Sequence, residues 1–210
     1  MHINLNKDVE LVIASGNAGK VREFSALLAD LGLDIKPQPE GLEVEETGST
    51  FAENARLKAV AVARATGAWA LADDSGLSVD ALNDAPGVQS SRYADSDDAR
   101  IARLLQELNE ANRDSITPNR QAHFAAALAL ANPSGEVVLE VEGCCPGVIL
   151  EAPRGTGGIG YDPVFLVPDA GLTFAEMPHA LKAKLGHRGR AFAQLQPQLG
   201  RLIHEHKRQS

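Results

Sequence analysis

The chain has 210 residues, enough for one good-sized domain or two small lobes sharing a core. Its 44% hydrophobic content excludes a disordered chain, and only 4% aromatics means a core built mostly of aliphatic side chains and alanine. A balance of 20 basic against 28 acidic side chains, net −8, disfavours non-specific binding to nucleic acid or to an anionic membrane surface, but leaves room for a small anionic substrate in a local basic pocket.

The first stretch, Met1 to Asp8, lacks the apolar region of a signal peptide, and no apolar run approaches the ~20 residues of a membrane span. Glu10 to Ser15 reads as a buried first strand running into Gly16-Asn17-Ala18-Gly19-Lys20. A helix follows, with Val21, Phe24, Leu27, Leu28 and Leu31 on one face and Gly32 as its stop. A strand, a glycine loop and a helix in this order invite a phosphate at the helix N-terminus, where free N–H groups and the dipole favour an anion. A plain strand-to-helix turn with an exposed lysine fits the same residues. A P-loop does not, because Ala14 and Val21 stand where that motif needs Gly and Ser or Thr.

Pro37 to Gly41 reads as a loop, and Glu43, Glu45 and Glu46 precede a second helix. Thr50 and Glu53 fit a capping box, and Gly67 stops that helix after Thr66. Lys58 lies one helical step from Asn54 and shares its face. The apolar run Ala68 to Ala72 then ends at Asp73-Asp74-Ser75-Gly76, which reads as a strand stopping at the rim of a sheet. Side chains alternate along a strand, so the two carboxylates should face different ways. One of them is placed to hold a divalent metal or accept a proton from water. Capping of a turn is the plainer use of the same residues.

Leu77 to Leu82 alternates as a short strand, Asn83 to Gly87 is a turn, and Asp95 or Ser96 caps a helix carrying Ile101, Leu104, Leu105 and Leu108. The polar stretch 109–118 is the best candidate for a lobe connection. Arg120 to Ala131 is read as a long strand, turned back by Asn132 to Gly135 onto Val137 to Gly143, with Gly147 to Leu150 continuing the sheet. Cys144 and Cys145, being adjacent, suit neither a disulfide nor a zinc site and look like reduced residues of a cytosolic chain. Arg154 to Pro163 is a glycine loop that lets backbone amides approach a flat ligand, followed by a strand over Val164 to Val167. Lys182, Lys184, His187, Arg188 and Arg190 form the one basic concentration, ahead of a last helix that Pro197 should kink or interrupt. His204-Glu205-His206 has no third ligand nearby in sequence and is not read as a metal site.

Taken in order, Ser15 to Lys20, Glu46 to Ala55, Ala72 to Leu77, Gly157 to Pro163 and His187-Arg188-Gly189 form a sequential signature. It resembles the inosine triphosphate pyrophosphatase family in its bacterial dITP/XTP pyrophosphatase branch, from about residue 10 to 200. The resemblance implies a cytoplasmic Mg2+-dependent homodimer that hydrolyses ITP, dITP and XTP to the monophosphate and pyrophosphate. It implies an α/β fold, a long mixed sheet with flanking helices in two lobes around a substrate cleft. Residues 1–210 then form a single domain, with 1–9 and 204–210 mobile. Matched residue by residue, Ser15, Gly16, Asn17, Ala18, Gly19 and Lys20 would hold the triphosphate. Glu46 and Asp74 would hold the metal, with Asp74 as proton acceptor and Ser75 as a substrate contact. Ile159, Gly160, Tyr161 and Asp162 would meet the base, and Lys182, His187 and Arg188 would complete the nucleotide site. Two positions depart from the family: Ile159 replaces a usual phenylalanine, and Gly186 a usual serine.

The residue types suit this chemistry on their own terms. Lys20, Lys58, Lys182 and Arg188 offer charge against a polyanion, and Mg2+ needs only one or two carboxylates beside its waters. A pyrophosphatase for pyrimidine nucleotides and a nucleotide sensor that binds without hydrolysis are the competing readings. The ordered motifs disfavour the first, and the carboxylates disfavour the second, because binding alone needs cations more than acids.

Overall fold

The computed structural model describes residues 8–209. Its strands are β1 (Val9–Ile13), β2 (Leu33–Pro37), β3 (Trp69–Val79), β4 (Gln121–Ala131), β5 (Val137–Ile149), β6 (Phe165–Val167) and β7 (Leu172–Thr173). Its α-helices are α1 (Ala18–Leu27), α2 (Phe51–Thr66), α3 (Asp97–Ala111), α4 (His179–Leu185) and α5 (His187–Gln209). The strands form one sheet in the order β2-β1-β3-β4-β5-β6-β7. β1 runs parallel to β2 and β3, whereas β6 is antiparallel to β5 and β7, which gives the mixed α/β sheet that the sequence implied.

The chain forms two compact units. The first holds the residues up to Asp74, 127–142 and those from Ala191 on; the second holds 75–126 and 143–190. The chain passes from one to the other inside β3, β4, β5 and α5. The polar stretch 109–118, expected to connect lobes, lies wholly within the second unit.

The scarce aromatics are divided unevenly. In the first unit, Ala55, Ala59, Val62 and Ala63 of α2 pack on Val12, Ala14, Ala70, Ala72, Ala127, Ala129 and Ala131. Small side chains on both surfaces let the helix lie close to the strands. Phe24 of α1 and Phe192 of α5 meet edge to face nearby, with centroids 4.9 Å apart. In the second unit Phe124, Phe165 and Phe174 form one aromatic cluster, with centroids 4.6 to 5.5 Å apart. Around it pack Leu77, Val79, Leu104, Leu108 and Val164.

Several expected boundaries hold. Thr50 caps α2 by accepting from the Glu53 N–H at 3.1 Å, and Gly67 ends that helix in the left-handed region at φ 65°. Glu53 reaches back chiefly to Ser49 N–H at 2.7 Å, with a smaller contribution from the N–H of the cap residue Thr50. Ser96 caps α3, and the alanine-rich segment is strand β4.

Other expectations are corrected. β3 does not stop at the carboxylates; it continues through Asp73-Asp74-Ser75-Gly76 to Val79, absorbing the strand expected from Leu77. Local turn preference gives way to strand pairing there. The rim belongs instead to β1, whose pairing with β3 ends at Ile13 and Leu71. β5 likewise runs unbroken through Cys144, Cys145 and Pro146. α5 runs through Pro197 without interruption. Pro197 and Ala193, whose carbonyl loses its helical partner, are both exposed, so that carbonyl is open to solvent. Val9 opens β1, and 204–209 are helical, with the His206 ring edge-on to Trp69 at 5.7 Å. The rest of the expected mobile ends, 1–7 and 210, lies outside the described residues. The edge strand β2, the short β7 and α4 were not anticipated.

A close helix contact in the second unit gives a stability test. A Cβ added at Gly189, in the first turn of α5, would run into the Ala183 carbonyl of α4. Gly189→Ala is expected to destabilise by about 1–3 kcal/mol through overpacking. Urea unfolding with an unchanged m-value would show it as a lower midpoint.

Candidate active site

The carboxylates of β3 are met by lysines from two helices. α1 begins at Asn17, whose Oδ1 accepts from the N–H groups of Gly19 at 2.9 Å and Lys20 at 3.2 Å. Ser15 Oγ accepts from Asn17 N–H at 3.1 Å. The loop therefore caps its own helix, and a phosphate arriving there must share or displace the Asn17 oxygen. From the first turn, Lys20 reaches Asp73, with Nζ 2.9 Å from Oδ1. Asp73 is only 2% exposed, so this is a buried charge with its counter-ion alongside.

Lys58 of α2 is the hub of the second arrangement. Its Nζ donates to the Asp73 carbonyl and lies 3.2 Å from Glu46 Oε1 and 3.6 Å from Asp74 Oδ1. Asn54, one turn earlier, is fully buried and accepts from Gly48 N–H at 2.8 Å, which ties the loop carrying Glu46 to α2. Leu42 and Val44 pack the same loop onto the alanine core. Two carboxylates from separate segments thus converge on one ammonium. Asp73 and Asp74 take different lysines, as strand alternation requires.

Burial pushes the Asp74 carboxyl up to about 6; Lys58 pulls against this and Glu46 adds to it. Asn54 also holds the Asp74 carboxyl down through a side-chain hydrogen bond, without offsetting the effect of burial. A carboxylate with a raised pKa is suited to accept a proton near neutral pH.

The second unit holds its own polar cluster. Arg188 Nη2 donates to Ser75 Oγ at 3.3 Å. The His187 ring, 9% exposed, stacks on Phe124 with centroids 4.9 Å apart and planes 14° apart. Lys182 Nζ lies 2.6 Å from Asp162 Oδ2. The same oxygen accepts from Ile159 N–H at 3.1 Å. At Gly158, φ is +73° and an added Cβ would clash with the Asp162 carboxylate, so the loop closes on that side chain only with glycine there. Burial pushes the Tyr161 phenol up to about 12, which keeps it a donor, and it donates to the buried Ser90 carbonyl at 2.7 Å. Ser90 Oγ in turn accepts from Leu77 N–H of β3 at 2.9 Å.

The glycine loop is therefore fixed. Gly157 N–H donates to the Ala175 carbonyl at 3.1 Å, and Arg154 pairs with Glu176 at 2.8 Å. Ile159 is 69% exposed on this held loop.

The first unit brings together Ser15 to Lys20, Glu46 and Asp74; the second brings together Ser75, Ile159 to Asp162, Lys182, His187 and Arg188. Asp74 and Ser75 are consecutive in β3, one from each set. Sequence reasoning missed Asp73 as the partner of Lys20, and Asp97 and Ser90 as anchors of the loop. Asp97 gave only the signal of an acid in a helix first turn, and its contact with Gly160 spans 63 residues.

Comparison with known proteins identifies the family. The Ham1 family profile matches residues 11–198. A Synechococcus protein named dITP/XTP pyrophosphatase is 62% identical over 92% of this chain and 91% of its own length. A Nostoc protein of the same name is 53% identical over 92% and 95%. The solved structure of a HAM1 protein from Coxiella burnetii superposes with a TM-score of 0.85 at 44% identity, covering 91% of this chain and 98% of that one. A structure from Mycobacterium abscessus titled nucleoside-triphosphatase / dITP/XTP pyrophosphatase does so with a TM-score of 0.74 at 40% identity, covering 91% and 100%. The chain belongs to the Ham1 family.

Proposed function

We propose that the chain is a dITP/XTP pyrophosphatase, hydrolysing ITP, dITP and XTP to the nucleoside monophosphate and pyrophosphate and so clearing them from the nucleotide pool. The observation that carries this reading is the convergence of Glu46 and Asp74 on one cation position, with the Asp74 carboxyl raised to about 6.

The donors there fit Mg2+: both are carboxylates meeting at one cation position, and the ion needs no more than two beside its waters. Glu46 and Asp74 would hold it, with Lys58 yielding part of its present contact. When bound, Mg2+ supplies charge neutralisation and lowers the pKa of its water.

The protein's own groups do the rest. Ser15 Oγ, the amides of Gly16 to Gly19, Lys20 and Lys58 receive the triphosphate. Lys20 shares its ammonium between Asp73 and phosphate oxygen, so the buried carboxylate keeps its counter-ion. Asp74 takes the proton of a water attacking the α-phosphorus, and pyrophosphate leaves. Ile159 to Asp162, Lys182, His187 and Arg188 hold the nucleoside. A deaminated purine offers a 6-keto acceptor and an N1–H donor, so a site matched to that edge leaves groups unpaired with ATP. The same reading includes a homodimer and a cytoplasmic setting. Among the described residues no helix is long and apolar enough to cross a membrane.

A panel of nucleoside triphosphates, scored for pyrophosphate against single phosphate, tests the substrate class. dITP and XTP should release pyrophosphate at least ~100-fold faster than ATP, and chelation of divalent ions should abolish it. A nucleotide-independent rate, or binding without turnover, would defeat the reading. Sedimentation at micromolar protein tests the dimer.

Asp74→Asn should lower kcat by ~100- to 10,000-fold, the range of a lost general base. In the wild type, kcat/KM should fall on the acid side with an apparent pKa at or below about 6, since base catalysis needs the ionised carboxylate. Lys58 holds that pKa down, so Lys58→Met should move the acid limb to higher pH. The folded-state value exceeds the ordinary carboxyl value of 3.8, so the carboxyl lowers stability as pH rises through that window and keeps it lowered above. Asp74→Asn should therefore raise Tm at pH 8, by the equivalent of about 3 kcal/mol at most, with the gain fading below about pH 4.

A further inference from the structure

The segment Ile159 to Asp162 is fixed on three sides, and two of the fixings come from distant parts of the chain. Asp162 holds it from within by accepting from Ile159 N–H. Tyr161 anchors it to Ser90, and through Ser90 to Leu77 of β3. The third is Asp97, the first residue of α3, whose Oδ2 accepts from Gly160 N–H at 2.9 Å. Its other oxygen is 2.7 Å from Arg100 Nη1 one turn along the same helix, which fixes the carboxylate rotamer. Gly160 has φ +57° and open space where a side chain would be, so sterics do little to define this peptide. Its hydrogen bond to Asp97 therefore sets how Ile159 is presented.

We propose that Asp97 is a positioning residue for nucleotide recognition: by holding Gly160 N–H it fixes the peptide that presents Ile159, and so tunes affinity for the base without touching the reacting phosphates. This rests on the assignment of Ile159 to Asp162 to the base made under the proposed function. Glu107 and Arg103 pair with each other on α3, and Arg103 donates to the Tyr93 carbonyl, so neither competes for Asp97. The Asp97 side chain is half exposed, so water partly replaces it when it is lost.

The test uses the full chain with Asp97→Ala, Asp97→Asn, Arg100→Gln and Ile159→Ala, assayed on dITP and ATP. Asp97→Ala is expected to raise KM for dITP about three- to tenfold, with kcat within about twofold, and to narrow the dITP-to-ATP ratio of kcat/KM. Asp97→Asn keeps an oxygen that accepts from Gly160 N–H and should recover most of the KM. Arg100→Gln, which frees the carboxylate rotamer, should fall between. If Ile159→Ala changes KM while Asp97→Ala leaves both KM and the ratio at wild-type values, the role of Asp97 is overturned and the base assignment stands. A lower Tm in Asp97→Ala with unchanged kinetics also overturns it, as a merely structural helix contact. An Ile159→Ala profile identical to wild type overturns the base assignment and this inference with it.

Discussion

Adjacent carboxylates inside a buried strand are costly unless cations stand next to them, and much of the first unit serves that requirement. Asp73 is essentially out of solvent and Asp74 nearly so, at 2% and 12% side-chain exposure. Lys20 and Lys58 meet them from α1 and α2. Neither lysine could arrive without the local features around it: the Asn17 cap that starts α1, and the alanine surface that lets α2 settle on the strands. The compensation is unequal. Asp73 has a lysine at 2.9 Å, whereas Asp74 shares a more distant one with Glu46, and burial raises its pKa. On the proposed function this inequality separates the two: Asp73 is the partner of Lys20, and Asp74, with its raised pKa, is the proton acceptor.

The second unit solves a different problem with aromatic mass rather than alanine. Phe124, Phe165 and Phe174 form a rigid bed, and the His187 ring lies on Phe124 like a fourth member of the stack. Lys182 sits 5.4 Å over the Phe174 ring while paired with Asp162. Lys182 is thus held by a ring face and one buried acid. A glycine-rich segment anchored on such a bed can present an exposed apolar side chain, Ile159, without collapsing.

Much of this was legible in the sequence because it is local. The Thr50 cap, the Gly67 stop and the Ser96 cap follow from short-range patterns that the structure keeps, whereas the mixed α/β sheet was what the resemblance implied. What was misread depended on distant partners. Asp-Asp-Ser-Gly has the composition of a turn, and only pairing within the sheet makes it a strand. Pro197 looks like a helix breaker until its exposed position is known. The edge strand β2 alternates Leu33, Asp34, Ile35 and Lys36, a signal present but short, and masked by Pro37. The resemblance named the chemical residues, but it could not say that the Gly19 and Lys20 amides are already taken by Asn17, nor that Asp162 faces inward.

That inward orientation bears on how a base would be chosen. Asp162 was a natural candidate to accept from N1–H of a deaminated purine. Its Oδ2 already accepts from Ile159 N–H and Lys182, and the side chain is buried. Turning it toward a ligand would break a buried ion pair and release the loop together, a loss of several kcal/mol that one neutral hydrogen bond would not offset. On the proposed function, Asp162 therefore acts by shaping the loop, as Asp97 does through Gly160 N–H, and the base meets what the loop presents, the exposed Ile159 side chain. Selectivity then depends on how firmly the backbone is held, which makes the anchors of the loop as consequential as the atoms that face the base.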